Sequence, residues 1–549
     1  MRIFEKYTRA NYDSYEDFVE NFKIDAPDNF NFAYDVMDEL AETKPNKRAL
    51  LWTDLEGNVR EFTFGELKTL TNKAANFFTS LGIHKGDMVM LILKRQYEFW
   101  ISILALHKIG AVTIPATHLL TKKDIVYRNN AAEIKAIICT DKSEVEEHIE
   151  DAESESPSLK CKVLVGEKRE GWVSFWEGME QASDEWERVP TKIDEPMLLY
   201  FTSGTTGMPK MVVHNYSYAL GHIPTAVFWH NVDPDGIHLS VSDSGWGKCA
   251  WGKLYGQWLA ETTVFVYDFD KFVPHELLQV ISDFKITTFC APPTIYRYFI
   301  KEDLKKYDLS HLKYATTAGE ALNPEVFEQF KAETGLNIME AFGQTETVLV
   351  LGNFIWMKSK PGSLGKPNPL YDVDIVDENG KSCRPGESGE IAIRTKEGFN
   401  IGMFMGYYKD EELTHKAWHD GLYRTGDVAW RDESGYYWYV SRADDVIKSS
   451  GYRIGPFEVE SALMEHPAVL ETAITGVPHP DRGQVIKATI VLAQGYVPSE
   501  DLKKELQNHV KVTTAPYKYP RVIEFVEELP KTISGKIRRV ELREKDNQK

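Results

Sequence analysis

Residues 63 to 166 alternate two hydrophobic periodicities, and that alternation restricts the chain to few folds. "MVMLIL" (88–93), "AVTIP" (111–115), "AIICT" (136–140) and "KVLVG" (162–166) are short, almost wholly apolar runs. Longer segments with helical spacing lie between them. Leu67, Leu70, Ala74, Phe77, Phe78 and Leu81 recur at intervals of three and four, behind a Thr63–Glu66 capping box and ahead of Gly82 as a stop. "YEFWISILALHKIG" is a second helix of this kind. Apolar strands separated by helices belong to a parallel sheet wrapped on both faces. The same texture continues through "MLLYFT", "TTVFVY" and "ITTFCAPP".

Two changes of texture follow. From about residue 360, "KPGSLGKPNPLYDVDIVDENGKSCRPGESGEIAIR" has closely spaced turn residues and alternating strands, which predicts an antiparallel β region. After "YYWYVSRADD" a unit of about 100 residues reads helix, strand, strand, helix, strand, a normal size for a domain. The fold class expected is therefore α/β: a large N-terminal domain of parallel βαβ subdomains plus a β-rich subdomain, followed by a small α+β domain.

The 549 residues suffice for two to four domains. A net charge of −19 argues against a nucleic-acid binder, which carries a basic footprint. Any anionic substrate must be met by positive charge concentrated locally. Five cysteines without a CxxC pair argue against a disulfide framework and a zinc site, and fit a reducing compartment. "FWISILALHKIGAVTIPA" is interrupted by His107 and Lys108, so no membrane span is expected. The acid-containing N-terminal stretch lacks an apolar targeting core, and the expectation is a soluble, cytoplasmic protein.

"YFTSGTTGMPK" (200–210) follows an apolar strand with four Ser and Thr hydroxyls, two glycines and a lysine. Such a loop turns backbone N–H groups and hydroxyls toward anionic oxygens. It is not a Walker A loop, because the lysine is displaced and Met211 stands where that motif places the magnesium-binding hydroxyl. The apolar run ahead of the loop predicts a strand, and "HNYSYALGHI" beyond it a helix. The competing structural explanation is an ordinary turn, in which Gly and Thr are common.

Four more blocks occur in order: "TTAGEALNP" (316–324), "EAFGQTET" (340–347), "YRTGDVAW" (423–430) and "VSRADDVIKSSGYRIGPFEVE" (440–460), with "PKTISGKIRR" (530–539) near the end. Together with "TSGTTGMPK" they resemble the motifs of the adenylate-forming superfamily, which holds acyl-CoA synthetases, luciferases and nonribosomal adenylation domains. Met211 and "PKMVVH" resemble the medium-chain acyl-CoA synthetase branch. The resemblance covers about residues 25 to 540.

The resemblance implies ATP, Mg²⁺ and coenzyme A as cofactors and co-substrates, and a small-molecule carboxylic acid as substrate. Thr202, Ser203, Gly204, Thr205, Thr206, Gly207 and Lys210 would hold phosphates. Gly319, Glu320, Ala321, Glu340, Ala341, Phe342, Gly343 and Gln344 would border the nucleotide. Thr345 would offer its hydroxyl to phosphate and Glu346 its carboxylate to the metal, for which one carboxylate with phosphate oxygens suffices. Asp427 would take the ribose hydroxyls, Arg442 would contact the nucleotide, and Lys536 would be the catalytic lysine. Asp444 would be the hinge between an ATP- and acyl-binding domain, 1–443, and a mobile domain, 444–549, that carries Lys536. Ser450, Gly451, Tyr452, Arg453 and Arg482 would meet CoA. Acetyl-CoA synthetases resemble this chain but carry Trp before the "QTE" triplet. Gly343 in that place implies an opened pocket and an acid longer or bulkier than acetate, with Trp246 as its wall; Lys248 and Lys253 stand either outside that pocket or toward a polar acid. The resemblance also allows a homodimer, and lysine acylation and deacylation enzymes acting on Lys536. An adenylation enzyme serving a carrier protein, a luciferase-type oxygenase and a non-catalytic nucleotide-binding member share the motifs, and a P-loop phosphotransferase would differ in releasing ADP.

Overall fold

The computed structural model describes residues 1–202, 208–395, 400–449, 452–480, 482–531 and 537–547. The apolar runs of the first third form a parallel sheet as expected. Met88–Ile92 lies between Val112–Pro115 and Ala136–Thr140, and Cys161–Val165 follows on the outer side. All five residues of Met88–Ile92 are buried, which is why the run does not alternate. The helix Phe64–Ser80 starts on the foreseen capping box: Thr63 Oγ1 accepts from Glu66 N at 3.2 Å, and Glu66 Oε2 accepts from Thr63 N at 2.8 Å. Glu98–Ile109 ends at Gly110, whose φ of 83° is the left-handed conformation that closes a helix.

Pro196–Thr202 adds to this sheet beside Val112–Pro115, and Lys210–Asn215 then turns back antiparallel to it. The helix expected at 214–223 is therefore confined to Ser217–Gly221. The tetrapeptide "MVVH" explains the difference. Val212 and Val213 are β-branched residues suited to a pleated, buried surface, and pairing with the preceding strand outweighs the helical pattern beyond. Gly406–Tyr407 pairs with the outer edge of Lys210–Asn215.

The second sheet joins what the sequence separates into two units. Arg48–Thr53, Thr263–Tyr267, Ile237–Ser240, Thr288–Cys290, Tyr314–Ala318 and Ile338–Gly343 are parallel neighbours. The sheet then continues antiparallel through Leu349–Gly352, Ser363–Pro367, Tyr437–Arg442, Leu422–Arg431, Gly389–Arg394 and Asp372–Val376. Composition changes at residue 360, but the hydrogen-bond ladder does not break there.

The C-terminal unit has its own sheet, Tyr452–Ile454, Ile447–Ser449, Gly483–Leu492 and Val469–His479, with Val522–Phe525 parallel to Gly483–Leu492. Pro456–Met464 and Glu500–Thr513 contribute Leu463, Leu506 and Val510 to a separate core with Ile447, Ile474 and Ile490. Asn323 Nδ2 donates to Ser461 O at 3.3 Å, so the unit touches the large domain beside the "TTAGEALNP" block.

Candidate active site

Glu346 is linked through Tyr407 to the hairpin that carries Lys210. Thr202 and Lys210 face each other at the base of the hairpin. The edge pairing of Gly406–Tyr407 sets the Tyr407 ring beside Lys210, whose Nζ lies 5.2 Å from the ring centroid. Tyr407 OH in turn donates to Glu346 Oε1 at 2.8 Å. Burial and the adjacent Glu346 carboxylate raise the pKa of this hydroxyl, which therefore stays a donor. The backbone around Glu346 is fixed from two sides. Phe404 N donates to Glu346 O at 2.8 Å, and His214 Nε2 lies 2.7 Å from Thr345 O. A carbonyl only accepts, so His214 carries its proton on Nε2. Burial pushes the His214 pKa down to about 4, which keeps the ring neutral.

Asp427 and Arg442 are direct cross-strand partners, and Arg442 Nη1 donates to Asp427 Oδ2 at 3.1 Å. Gln344 Nε2 donates to the same oxygen at 2.5 Å and to Thr425 O at 2.7 Å, while Tyr423 OH donates to Gln344 Oε1 at 2.8 Å. Gln344 thus ties the Glu346 segment to the Asp427 strand. Gly426 has a φ of 73°, and a Cβ there would stand 3.0 Å from Arg442 Nη2. Arg442 Nε also lies 3.8 Å from Asp444 Oδ1, so one guanidinium faces both the ribose candidate and the hinge candidate.

Glu340 is placed differently from its neighbours in the motif. It is buried, and its Oε1 accepts from Leu322 N at 2.9 Å, so it supports the 319–322 loop from beneath. Burial pushes its carboxyl up to about 8. Glu320 is half-buried, accepts from Thr294 Oγ1 at 3.0 Å and lies 3.6 Å from Arg297. Ala341 is buried and Phe342 half-buried in the strand that carries them.

The expected open space at Gly343 is filled. A Cβ built on Gly343 would stand 2.2 Å from Cη2 of Trp251 and 2.7 Å from Val348 O. The glycine makes room for an indole that arrives from the helix Gly247–Gly252; Trp246, the expected wall residue, is half-buried at the start of that helix. A Cβ on Gly247 would stand 3.8 Å from the Thr345 methyl, so this segment runs close to the Glu346 segment. Lys248 Nζ donates to Ala318 O at 2.7 Å, next to Gly319, whereas Lys253 is buried and donates to Ser242 O at 2.8 Å.

On the C-terminal unit, Ser449 pairs with Tyr452 and with Gly483, which gathers Tyr452 and the turn holding Arg482. Tyr452 is half exposed and stacks on Tyr517 at 4.1 Å. Ser203, Gly204, Thr205, Thr206, Gly207, Ser450, Gly451, Lys536 and the Arg453 side chain lie outside the described residues. Tyr407, Tyr423, His214 and Trp251 were not foreseen. Tyr423 and His214 stand inside recognised blocks, residues 423–430 and 209–214, whereas Tyr407 and Trp251 reach the site through pairing and packing that the sequence does not display. Among the described residues no group of three or more His, Cys, Asp or Glu is arranged to hold a metal, and no helix is long and apolar enough to cross a membrane. Glu346 therefore fits a magnesium ion only as the single protein carboxylate, with phosphate oxygens completing the shell.

The chain is similar to known proteins over nearly its whole length. The family model of the AMP-binding enzymes matches residues 37–408, and that of the AMP-binding enzyme C-terminal domain matches residues 458–536. The mitochondrial acyl-coenzyme A synthetase ACSM3 of Mus musculus is 45% identical, covering 100% of this chain and 96% of that protein. Mitochondrial ACSM4 of the same organism is 45% identical over 95% of this chain and 91% of its own. The crystal structure of the anthranilate CoA ligase AuaEII with anthranoyl-AMP superposes with a TM-score of 0.88 at 30% identity, covering 95% of this chain and 98% of that one. A benzoate CoA ligase from Burkholderia xenovorans gives 0.82 at 27%, covering 94% and 100%. The mitochondrial relatives overturn the cytoplasmic expectation. Free cysteines report a reducing environment, which is not peculiar to the cytoplasm. The chain belongs to the AMP-binding enzyme family, with the main domain and the C-terminal domain of that family in order.

Proposed function

We propose that the protein is an AMP-forming acyl-CoA synthetase that activates a carboxylic acid longer or bulkier than acetate. The observation that carries this reading is the linked set Lys210, Tyr407–Glu346 and Gln344–Asp427–Arg442, which joins a phosphate-facing hairpin to a ribose-type carboxylate. In the first step a carboxylate oxygen attacks the α-phosphorus of ATP. The bond to the β-phosphate oxygen breaks, and pyrophosphate leaves. Lys210 and the hairpin hold the departing phosphates. Asp427 orients the ribose, since an ionised carboxylate has acceptor oxygens for both hydroxyls. Glu346 would be the carboxylate that holds magnesium, which when bound would supply charge neutralisation at the phosphates; the Tyr407 bond fixes one oxygen without exhausting the group. Lys536 brings its ammonium between the two anions that must meet.

In the second step the CoA sulfur bonds to the acyl carbon, AMP leaves with the former carboxylate oxygen, and the thiol proton is lost. The two steps need different surroundings, and residues 444–549 turning about Asp444 would exchange Lys536 for the Tyr452 and Arg482 face. Acylation of Lys536 would remove the charge that only the first step uses.

The acyl group lies beside Trp251. Its indole leans over Gly343 from the helix Gly247–Gly252, so a side chain from a different element takes the space beside the glycine. The anthranilate and benzoate CoA ligases among the structural relatives accept ring acids, which supports a pocket larger than acetate requires. The test is product analysis with ATP, Mg²⁺, CoA and acetate, butyrate, 2-methylbutyrate, octanoate or benzoate. AMP, pyrophosphate and acyl-CoA, formed faster with a larger acid than with acetate, are expected. ADP as product, or acetate as the best acid, would defeat the reading.

A further inference from the structure

A cavity of about 210 Å³ lies outside the residues so far discussed, between the strand Arg48–Thr53, the start of the helix Glu98–Ile109 and the loop after Ala136–Thr140. Three aromatic side chains, Trp52, Tyr97 and Trp176, line it. Trp52 meets Tyr97 edge-on at 5.3 Å, and Tyr97 lies 6.2 Å from Trp176 at 52°, so the rings form an arc rather than a stack.

The polar lining is rich in acceptors. Glu98 is 4% exposed and accepts from the Trp176 indole N–H at 3.2 Å. Gln96 is 9% exposed, and its Oε1 has no hydrogen-bond partner among the described residues. Asp141 uses one oxygen to accept from Glu167 N at 2.7 Å, and among the described residues its buried Oδ1 has no partner. The Asp141 carboxylate is held there by a close approach: a Cβ on Gly166 would stand 2.0 Å from it. Lys142 also lines the cavity but is exposed, at its rim. Buried acceptors without donors are costly and rare in folded proteins. Here two of them, an amide oxygen and a carboxylate oxygen, share a cavity with a second carboxyl group, that of Glu98.

We propose that this cavity is a binding site for a small organic cation of the alkylammonium class. The aromatic arc offers ring faces to a cation, which is attracted within about 6 Å of a ring centroid. Asp141 and Glu98 supply the opposite charge, and Gln96 Oε1 takes an N–H or the positive edge of an N-methyl group. Burial pushes the Glu98 carboxyl up to about 7, a placement that a neighbouring cation would relieve. The alternative is a neutral apolar guest, for which the unpartnered acceptors give no reason. The site shares no residue with the nucleotide and acyl segments, and the inference stands independently of the reaction assigned above.

The test is a titration of the full chain with tetramethylammonium chloride at constant ionic strength, followed by tryptophan fluorescence and melting temperature. Neopentyl alcohol, a neutral molecule of similar shape, and sodium chloride serve as comparisons. Saturable binding of the ammonium alone is expected, with a rise in melting temperature through linkage. Asp141→Asn and Trp176→Phe should each weaken it at least tenfold, with acid-dependent AMP formation by Asp141→Asn unchanged. Equal binding of neopentyl alcohol, no saturable response in the wild-type chain, or unaltered binding by both variants would overturn the proposal.

Discussion

Asp427 illustrates how much one buried side chain can organise. Its carboxylate receives Arg442, Gln344 and, at 3.3 Å, Tyr439 OH. A charge-assisted hydrogen bond is worth about 1.5–3 kcal/mol, or roughly 10- to 100-fold in an equilibrium constant. Asp427→Ala should therefore raise the KM for ATP by about that factor, since it removes the ribose acceptor and leaves Arg442 without its partner. Steady-state kinetics at saturating acid checks it; an unchanged KM would remove Asp427 from the ribose role. Trp251 makes the second prediction at this scale. Each buried methylene contributes about 0.8 kcal/mol, close to fourfold. Trp251→Ala should shift the best acid to a longer one, by about fourfold in kcat/KM for each methylene that enters the vacated space. The same ranking of acids before and after the substitution would place the acyl chain elsewhere.

The relation between Gly343 and Trp251 belongs to two elements, the strand Ile338–Gly343 and the helix Gly247–Gly252. Gly343→Trp in the intact chain drives a side chain into the existing indole and should destabilise the fold by about 1–3 kcal/mol or more, the usual cost of overpacking. Adding Trp251→Gly should restore most of that loss, because the two rings compete for one space. Denaturant midpoints of the four proteins measure the coupling, and additive effects would contradict the contact. The C-terminal helix Arg539–Asn547 shows a similar connection between elements. Arg543 donates to Asp445, one residue from the hinge candidate, and Arg539 Nη2 donates to Glu460 at 2.7 Å. The segment that follows Lys536 is thereby tied to the segment that follows Asp444.

What could be read from sequence at the scale of elements depended on whether the cause was local. The capping box at Thr63, the stop at Gly82 with its φ of 84° and the buried run Met88–Ile92 follow from neighbours in the chain. The strand Lys210–Asn215 and the uninterrupted sheet across residue 360 follow from pairing with distant segments, which a single sequence does not display. The candidate site divides likewise. Glu346, Asp427 and Arg442 lie in recognisable blocks. Tyr407 and Trp251 reach the site only through strand pairing and helix packing, and Glu340, inside a recognised block, turns away to hold Leu322.

Across the whole molecule, buried titratable groups set the response to acid. Burial pushes His107 and His238 down to about 3 and His214 to about 4. An unfolded histidine titrates near 6.5. Below about pH 6.5 the unfolded state therefore binds more protons, and the stability contributed by the three neutral rings is lost as pH falls toward 3. Glu98 and Glu340 act in the opposite sense. Their carboxyls are raised to about 7 and 8, so the stability they contribute is present at low pH and is lost as pH rises through those values. Burial holds His222 and His230 well below the usual value too, so five histidines outweigh the two acids: stability falls between about pH 6.5 and 4.5, and more steeply below, where the acids are protonated in both states. Urea midpoints from pH 7 to pH 4 test this, and a midpoint that rises on acidification would refute it.

The central claim is that a carboxylate attacks the α-phosphorus of ATP in this site. It is tested most directly by supplying a substrate acid labelled with heavy oxygen in its carboxylate, with ATP, Mg²⁺ and CoA, and weighing the nucleotide product. AMP carrying one labelled oxygen is expected, released with unlabelled pyrophosphate and one equivalent of acyl-CoA. Unlabelled AMP, or ADP with label in the accompanying phosphate, would contradict it, because the acid would then have attacked a different atom.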